Sequence, residues 1–366
     1  MSPLSDCVFP EEIMLCILTR LPVKSILRFR SVCKPWSNLF STRQFMKMHQ
    51  GQYSSDPNNQ SVIIDHCNAK NMMSLFKIES NETKPMILDH PHLEIKIQSM
   101  GCCNGLICLT PLDDIPSNFF LWNPAMKVYK YVKIFGFSDI ETESLGFGYD
   151  AERDDYKVVR IVWFLEKKEV DVGMWVEVYS VSTDSWITIK PDFKFKVFST
   201  VNTVIANGNP YWIAEVEEEE DMFMSVLVCF DVRRMVFKVV PLHSIVCNIE
   251  HATLMDWKGS LGSLVCTTTD CDNMTKPLHV LVFDDDDQIW RKVRTFGPIE
   301  VDVGEVMGCS VNVKMLCCKD DKLFVFDPET GWVKFYESEL PLVEIQACLY
   351  TERLTCIKGM VSEPEK

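Results

Sequence analysis

The 366-residue chain has no apolar run near the ~18 residues that a membrane-crossing helix needs, so it is not read as a transmembrane protein. It has no CxxC pair and no HExxH, the spacings that bring thiolates or imidazoles onto one zinc ion. No serine stands in GxSxG, the nucleophile elbow of the hydrolases. Positive charge is short as well. There are 37 Lys and Arg against 52 Asp and Glu, a net of −15, and phosphate backbones would be repelled by such a surface. The opening residues carry Asp6, Glu11 and Glu12 and no basic stretch, so no secretory signal is expected and the expected location is cytoplasmic and nuclear. The 16 cysteines are too dilute for a secreted disulfide scaffold and read as reduced, mostly buried thiols.

What is present is a globular composition, 47% apolar and 24% charged. The charge is unevenly placed. Residues 1–50 hold seven bases (Arg20, Lys24, Arg28, Arg30, Lys34, Arg43, Lys47) against three acids, so +4, which leaves −19 for residues 51–366. A small basic head precedes a large acidic body.

The head reads as three to four short helices. Pro10 suits the first helical position, with Glu11 and Glu12 in the first turn, where the helix dipole favours acids. Ile13, Ile17 and Leu21 recur every fourth residue with Met14 and Leu18 beside them, one apolar stripe that Pro22 ends. Ser25 is placed to cap a second helix with Ile26, Leu27 and Phe29. Val32, Cys33, Trp36, Leu39 and Phe40 mark a third, and Gln44–His49 a fourth piece. So short a segment cannot bury all this surface within itself. Either it packs on the body, or it keeps one face for another protein.

The stretch FPEEIMLCILTRLPVKSILRFRSVCKPWSNLFSTRQF resembles a plant F-box, in its Phe9-Pro10 opening, RLPVKS (Arg20–Ser25), RFRSVCK (Arg28–Lys34) and Trp36. Phe9 stands where the family has Leu, and Pro35 is tolerated only in the first turn of the third helix. The resemblance implies docking onto the acidic Skp-type adaptor of an SCF ubiquitin ligase and, through it, the cullin and RING subunits. Matching positions imply an adaptor interface of Pro10, Ile13, Ile17, Leu21, Pro22, Val23, Leu27, Val32, Cys33 and Trp36.

After a polar linker at 51–60 the helical period gives way to short β-branched and aromatic runs between turn residues, an all-β reading for 61–358 with a polar tail at 359–366. One unit recurs: an aromatic, then Asn, Ser or Asp, then an aromatic seven residues on. The pairs are Trp122/Tyr129, Tyr179/Trp186, Phe230/Phe237 and Phe283/Trp290; Phe326 has Trp332 one residue short and Val333 at the seventh place. Each is expected to be a hairpin whose polar residue starts the turn. The first aromatics are 57, 51, 53 and 43 residues apart, the span of a four-stranded propeller blade. Leu145–Val162 and Val62–Glu79 are further blade candidates, Leu349–Ile357 is expected to close the ring, and a two-sheet sandwich is the alternative.

The body also resembles the F-box-associated, kelch-like domain of plants, of the S-locus F-box type. The carriers are GCCNGLICL (Gly101–Leu109), LWNP (Leu121–Pro124), GFGYD with DDYKVVRI (Gly146–Ile161), VEVYSVSTDSW (Val176–Trp186) and CLYTERLTCI (Cys348–Ile357). Gly101–Gly105 and Gly146–Gly148 precede no helical pattern and are therefore not phosphate loops. His90-Pro-His92 reads as a loop. No catalytic, cofactor or metal-binding residue is expected. Two acidic runs remain, with Glu217, Glu218, Glu219 and Glu220 in one and Asp284, Asp285, Asp286 and Asp287 in the other, either solvated loop tips or a patch for a basic target. The expected function is that of a non-catalytic receptor that presents target proteins for ubiquitination and degradation. The S-locus likeness implies basic style ribonucleases, in self-incompatibility, as a target class. The rivals are a propeller enzyme and a scaffold that does not ubiquitinate.

Overall fold

The computed structural model describes residues 10–363 except 67–71, 81–83, 90–96, 112–117, 138, 166–172, 198–202, 218–222, 243–251, 267–275, 300–304, 311–312, 321 and 338–344. Four helices come first: α1 (Glu11–Leu18), α2 (Val23–Phe29), α3 (Lys34–Phe40) and α4 (Arg43–Tyr53). Pro10 and Pro22 are the N-caps of α1 and α2, one position before the helix in each case, and neither offers a capping oxygen. Ser25 therefore lies inside α2 rather than at its cap. Pro35 stands in the first turn of α3, where its missing N–H costs nothing. Thr42 caps α4 by accepting the Phe45 N–H at 3.2 Å. Helix α4 runs three residues into the expected linker, which otherwise holds a 3₁₀ turn at Pro57–Asn59.

Everything after is strand. β1 (Ser61–His66), β2 (Met72–Lys77) and β3 (Met86–Asp89) await a partner. Blade I is β4 (Ile97–Cys103), β5 (Leu106–Pro111), β6 (Asn118–Asn123) and β7 (Val128–Lys133). Blade II is β8 (Ile140–Asp150), β9 (Asp155–Phe164), β10 (Met174–Ser180) and β11 (Ser185–Ile189). Blade III has β12 (Lys196–Val197) and β13 (Val204–Ala206) both on β14 (Asn209–Glu217), then β15 (Phe223–Asp231) and β16 (Val236–Val240). Blade IV is β17 (Ala252–Trp257), β18 (Ser260–Cys266), β19 (Lys276–Asp284) and β20 (Ile289–Ile299). Blade V is β21 (Glu305–Cys309), β22 (Met315–Lys319), β23 (Lys322–Phe326) and β24 (Val333–Tyr336). Blade VI takes its inner strand from the far end of the chain: β25 (Ile345–Tyr350) pairs β1, with Ser61 opposite Tyr350. A two-residue β26 (Val361–Ser362) lies on the outer edge of β7.

The recurring unit is the outer hairpin of blades I to V. Trp122 faces Tyr129, Tyr179 faces Trp186, Phe230 faces Phe237, Phe283 faces Trp290, and Phe326 faces Val333. Asn123, Asp231, Asp284 and Asp327 each accept a backbone N–H two or three residues on, which bends the chain. Four residues after the polar one, Lys127, Asp184, Met235, Gln288 and Gly331 take positive φ and complete the turn. Ser180 is too short for this work. Asp155 of β9 replaces it, accepting the Ser182 N–H at 2.8 Å and the Ser180 hydroxyl.

Strands have a period of two, and each blade sends alternate side chains to opposite neighbours. Val62 and Ile64 pack with Leu316, Leu323 and Val325 of blade V, while Ile63 packs with Ile107, Leu109 and Phe120 of blade I. Six such clusters separate the six blades. This is a closed propeller and not a two-sheet sandwich, since each sheet is covered on both faces. Leu145–Val162 is not a blade of its own; it is the inner half of blade II. The closing strand stands earlier than expected, at Ile345–Tyr350, because Thr351–Ile357 leaves the sheet to run under the head. The tail is likewise partly structured. Val361 and Ser362 pair with β7, and Trp122 Nε1 donates to Glu363 Oε1 at 2.7 Å.

The GFG of β8 is a close approach between blades. A Cβ on Gly146 would lie 2.1 Å from Cζ2 of Trp212, and one on Gly148 would lie 2.5 Å from the Gly208 carbonyl oxygen.

The candidate adaptor face and the two ends of the propeller

The helical head has two unlike sides. Its inner side is a small core of Leu18, Val23, Ile26, Phe40 and Phe45, closed by Leu354, with Ala125 and Met126 alongside. An aromatic chain runs through it: Trp36 lies 5.4 Å from Phe29 and 6.0 Å from Phe40, and Phe40 lies 5.0 Å from Phe45. The outer side is bare. Ile13 and Ile17, one turn apart on α1, are each 48% exposed, and Val32 is 65% exposed. Pro10, Pro22 and Cys33 are exposed, whereas Leu21, Leu27 and Trp36 are half-buried. Arg20 in the turn after α1, Lys24 and Arg28 on α2, and Lys34 at the start of α3 are exposed as well.

Val23 departs from the expected interface. It is fully buried, because the first residue of α2 turns inward onto Leu354. The carboxylate of Glu352, from the body, stands near its N–H, at the start of a helix whose N-cap offers no side-chain bond. Burial raises the pKa of that carboxyl, opposed by Lys77, the Val23 N–H, Lys24 and the Tyr53 hydroxyl. The seam has further ties. Gln50 donates to Asn104 Oδ1 at 3.1 Å, and Arg43 pairs with Asp154. The Tyr149 hydroxyl and then Arg43 hold the Asp154 carboxyl below its ordinary range. Within the head, His49 Nε2 meets the Leu21 carbonyl at 2.8 Å, and burial lowers the pKa of this ring.

These ties fix which end of the propeller the head covers. In an antiparallel blade the first and third turns lie at one end of the strands and the second turn at the other. Asn104, Ala125, Met126 and Asp154 all belong to first or third turns, so the head stands on that end. The second turns and the links between blades face away from it.

Residues 57–326 match the F-box associated beta propeller domain family, and residues 7–48 match the F-box domain. The chain belongs to this family of F-box proteins. An Arabidopsis thaliana F-box protein is 30% identical over 57% of this chain and 55% of its own length. An Arabidopsis F-box/kelch-repeat protein is 27% identical over 70% of this chain and 71% of its own. F-box/WD-40 repeat-containing protein 1 of the same plant is 26% identical over 59% and 52%. The chain spans 55 to 59% of the length of the relatives at 29 to 30% identity.

In this F-box protein the described parts of the two acidic runs lie at opposite ends of the propeller. Asp284–Asp287 is the third turn of blade IV, at the same end as the head, and Glu217 ends β14 at the opposite end. Glu218, Glu219 and Glu220 lie outside the described residues, as do Phe9, His90 and His92. Asp284 is engaged as the turn cap. Its Oδ1 accepts the N–H groups of Asp286 and Asp287, its other oxygen takes Arg291 Nε at 2.9 Å, and Arg291 also pairs with Asp287. Among the described residues, no three or more His, Cys, Asp and Glu are grouped so as to hold a metal ion.

Packing of the head on the body was one of the two alternatives the sequence offered, but the residues that make the seam were not expected. Its signal was present in CLYTERLTCI, whose strand alternation breaks at Glu352 and Arg353 where the chain leaves the sheet.

Proposed function

We propose that this F-box protein is the substrate-receptor subunit of an SCF-type ubiquitin ligase, with the outer side of the head as its adaptor dock. The observation that carries the reading is the division of the head: one side sealed on the propeller, the other exposing Ile13, Ile17 and Val32 among basic side chains. An acidic Skp-type adaptor fits that side by charge and by apolar contact. The propeller holds the target, and the cullin–RING part brings the conjugating enzyme. The receptor acts by proximity, which raises the effective concentration of target lysines. That work requires no nucleophile, metal or cofactor of its own.

A basic target fits the −19 of residues 51–366, and the S-locus likeness makes basic style ribonucleases, in self-incompatibility, the target class to try first. Cytoplasm and nucleus are the proposed locations, in keeping with the described cysteines, all free thiols. The test is reconstitution of the chain with adaptor, cullin, RING subunit and conjugating enzyme, with a style ribonuclease as client. Ubiquitinated client is expected with the whole chain and not with a chain starting at Asn59. Equal client modification by both would overturn the receptor reading, and no modification by either would remove the ribonuclease as client.

A further inference from the structure

We infer that Ser31 is a phosphorylation site for a protein kinase that selects arginine three residues before its target, and that phosphate on it weakens adaptor docking. The inference rests on the receptor reading and deepens it by naming how the dock is regulated. Arg28 is the only arginine of the chain with a serine or threonine three residues after it, and Arg30 adds a base directly before that serine. A kinase of this class holds the arginine with carboxylates of its own cleft, so its choice of substrate is a choice of charge pattern.

The fold presents these residues. Ser31 is exposed in the turn at 30–32 that follows α2. Arg28 is exposed in the last turn of α2, and among the described residues no carboxylate pairs with it. Two backbone bonds hold the turn: Ser31 N–H donates to the Arg28 carbonyl at 3.2 Å, and Val32 N–H to the Phe29 carbonyl at 3.1 Å. Both stand at a helix end, the part of a helix that frays most readily. The residues by which α2 anchors the head, Val23 and Ile26, lie before the segment. A kinase cleft can therefore take up residues 28–31 without opening the core of the head.

A phosphate on Ser31 lands in the dock. Val32, 65% exposed, is the next residue, and Cys33 after it is exposed too. No Asp or Glu occurs between Glu12 and Asp56, so this stretch is purely basic, which suits an acidic adaptor. Phosphoserine brings about −1.5 to −2 charges. It is the first negative group of the stretch, beside an apolar contact that must lose its water on docking. Repulsion from the acidic partner and desolvation of the phosphate both oppose binding. Any pairing of the phosphate with Arg28, Arg30 or Lys34 withdraws that base from the adaptor. In the transfer, the Ser31 hydroxyl oxygen bonds the γ-phosphorus of ATP, the bond from that phosphorus to the β-phosphate oxygen breaks, ADP leaves, and the hydroxyl proton passes to the kinase's base. A seated adaptor covers this surface, so adaptor and kinase exclude one another.

The experiment treats the full chain with ATP and the catalytic domain of a calmodulin-dependent protein kinase. Mass spectrometry maps the phosphate, and adaptor is titrated into treated and untreated chain. Phosphate is expected on Ser31, at a rate cut about tenfold or more by Arg28→Ala and by saturating adaptor. The phosphorylated chain should bind adaptor about tenfold or more weakly than the untreated chain, with the same melting temperature. Ser31→Ala should bind as the untreated chain does and keep that affinity after kinase treatment. No phosphate on Ser31, a rate indifferent to Arg28→Ala, or unchanged adaptor binding with Ser31 phosphorylated would each overturn the inference and leave the receptor reading standing. Failure of the untreated chain to bind adaptor would overturn the receptor reading, and the inference with it.

Discussion

Head and propeller place their apolar residues by opposite rules. In the propeller every sheet has a neighbour on each side, so Val62 and Ile64 are as well covered as Ile63 between them. In the head only one side has a neighbour, and Ile13 and Ile17 remain in water although they belong to the same stripe as buried Leu18. A ring of six blades satisfies itself, whereas four short helices on one end of it do not. The bare side of the head is thus the part of the molecule that a second protein would complete.

The comparison breaks most severely if the ring can stand open. Truncation before Ile345 removes the inner strand of blade VI, bares the edge of β1 and opens the clusters on either side of it. It also takes Leu354 from the head. Insoluble protein is expected on expression; a soluble, cooperatively melting chain would contradict the closed ring.

A smaller effect comes from a carboxyl inside the closing blade. Asp65 is buried, accepts the Ser99 N–H at 2.6 Å, and is pushed by burial from 3.8 to about 7. The folded chain therefore holds a proton that the unfolded chain releases, and stability falls as pH rises from 3.8 to about 7, then levels. Asp65→Asn removes that slope. Its stability relative to wild type should rise across this window by up to about 4 kcal/mol, read from urea midpoints against pH. A difference curve that is flat would refute the shift.

The two sides of the head should respond differently to the same truncation. Leu354→Ala opens the seam and should cost about 2–4 kcal/mol in melting experiments, while Ile17→Ala should stay within about 0.5 kcal/mol. Equal losses would mean that the outer side is packed after all. Smaller still is the contrast among turns. Asp231→Ala removes the acceptor for two backbone N–H groups and should cost about 1–2 kcal/mol by denaturant titration. Ser180→Ala should cost less, since Asp155 keeps the Ser182 N–H.

Much of this was legible in the sequence, where a pattern is local. The aromatic pairs seven residues apart became cross-strand neighbours because one five-residue turn geometry recurs, with a polar starter and positive φ four residues later. The six-blade closure was legible only in outline. The break in alternation at Glu352 and Arg353 marks where the chain leaves the strand, but nothing local says that Leu354 must then cover Phe40 and Phe45. Val23 was placed at the adaptor interface because the family pattern marks it; the burial that removes it depends on Glu352 and Leu354, over three hundred residues away. Arg160, fully buried in β9 and paired with Glu143 and Glu177, did leave a signal. A charge in the middle of VVRIV is untenable in a buried strand without carboxylates opposite, and Glu143 and Glu177 occupy the strands on either side.

The most direct test of the central claim is a calorimetric titration of the Skp-type adaptor into the wild-type chain and into Ile17→Asp, with melting curves for both. Binding to the wild type is expected, with loss of at least about 2 kcal/mol of binding energy in Ile17→Asp and the same melting temperature for the two chains. Undiminished adaptor binding by Ile17→Asp would contradict that claim.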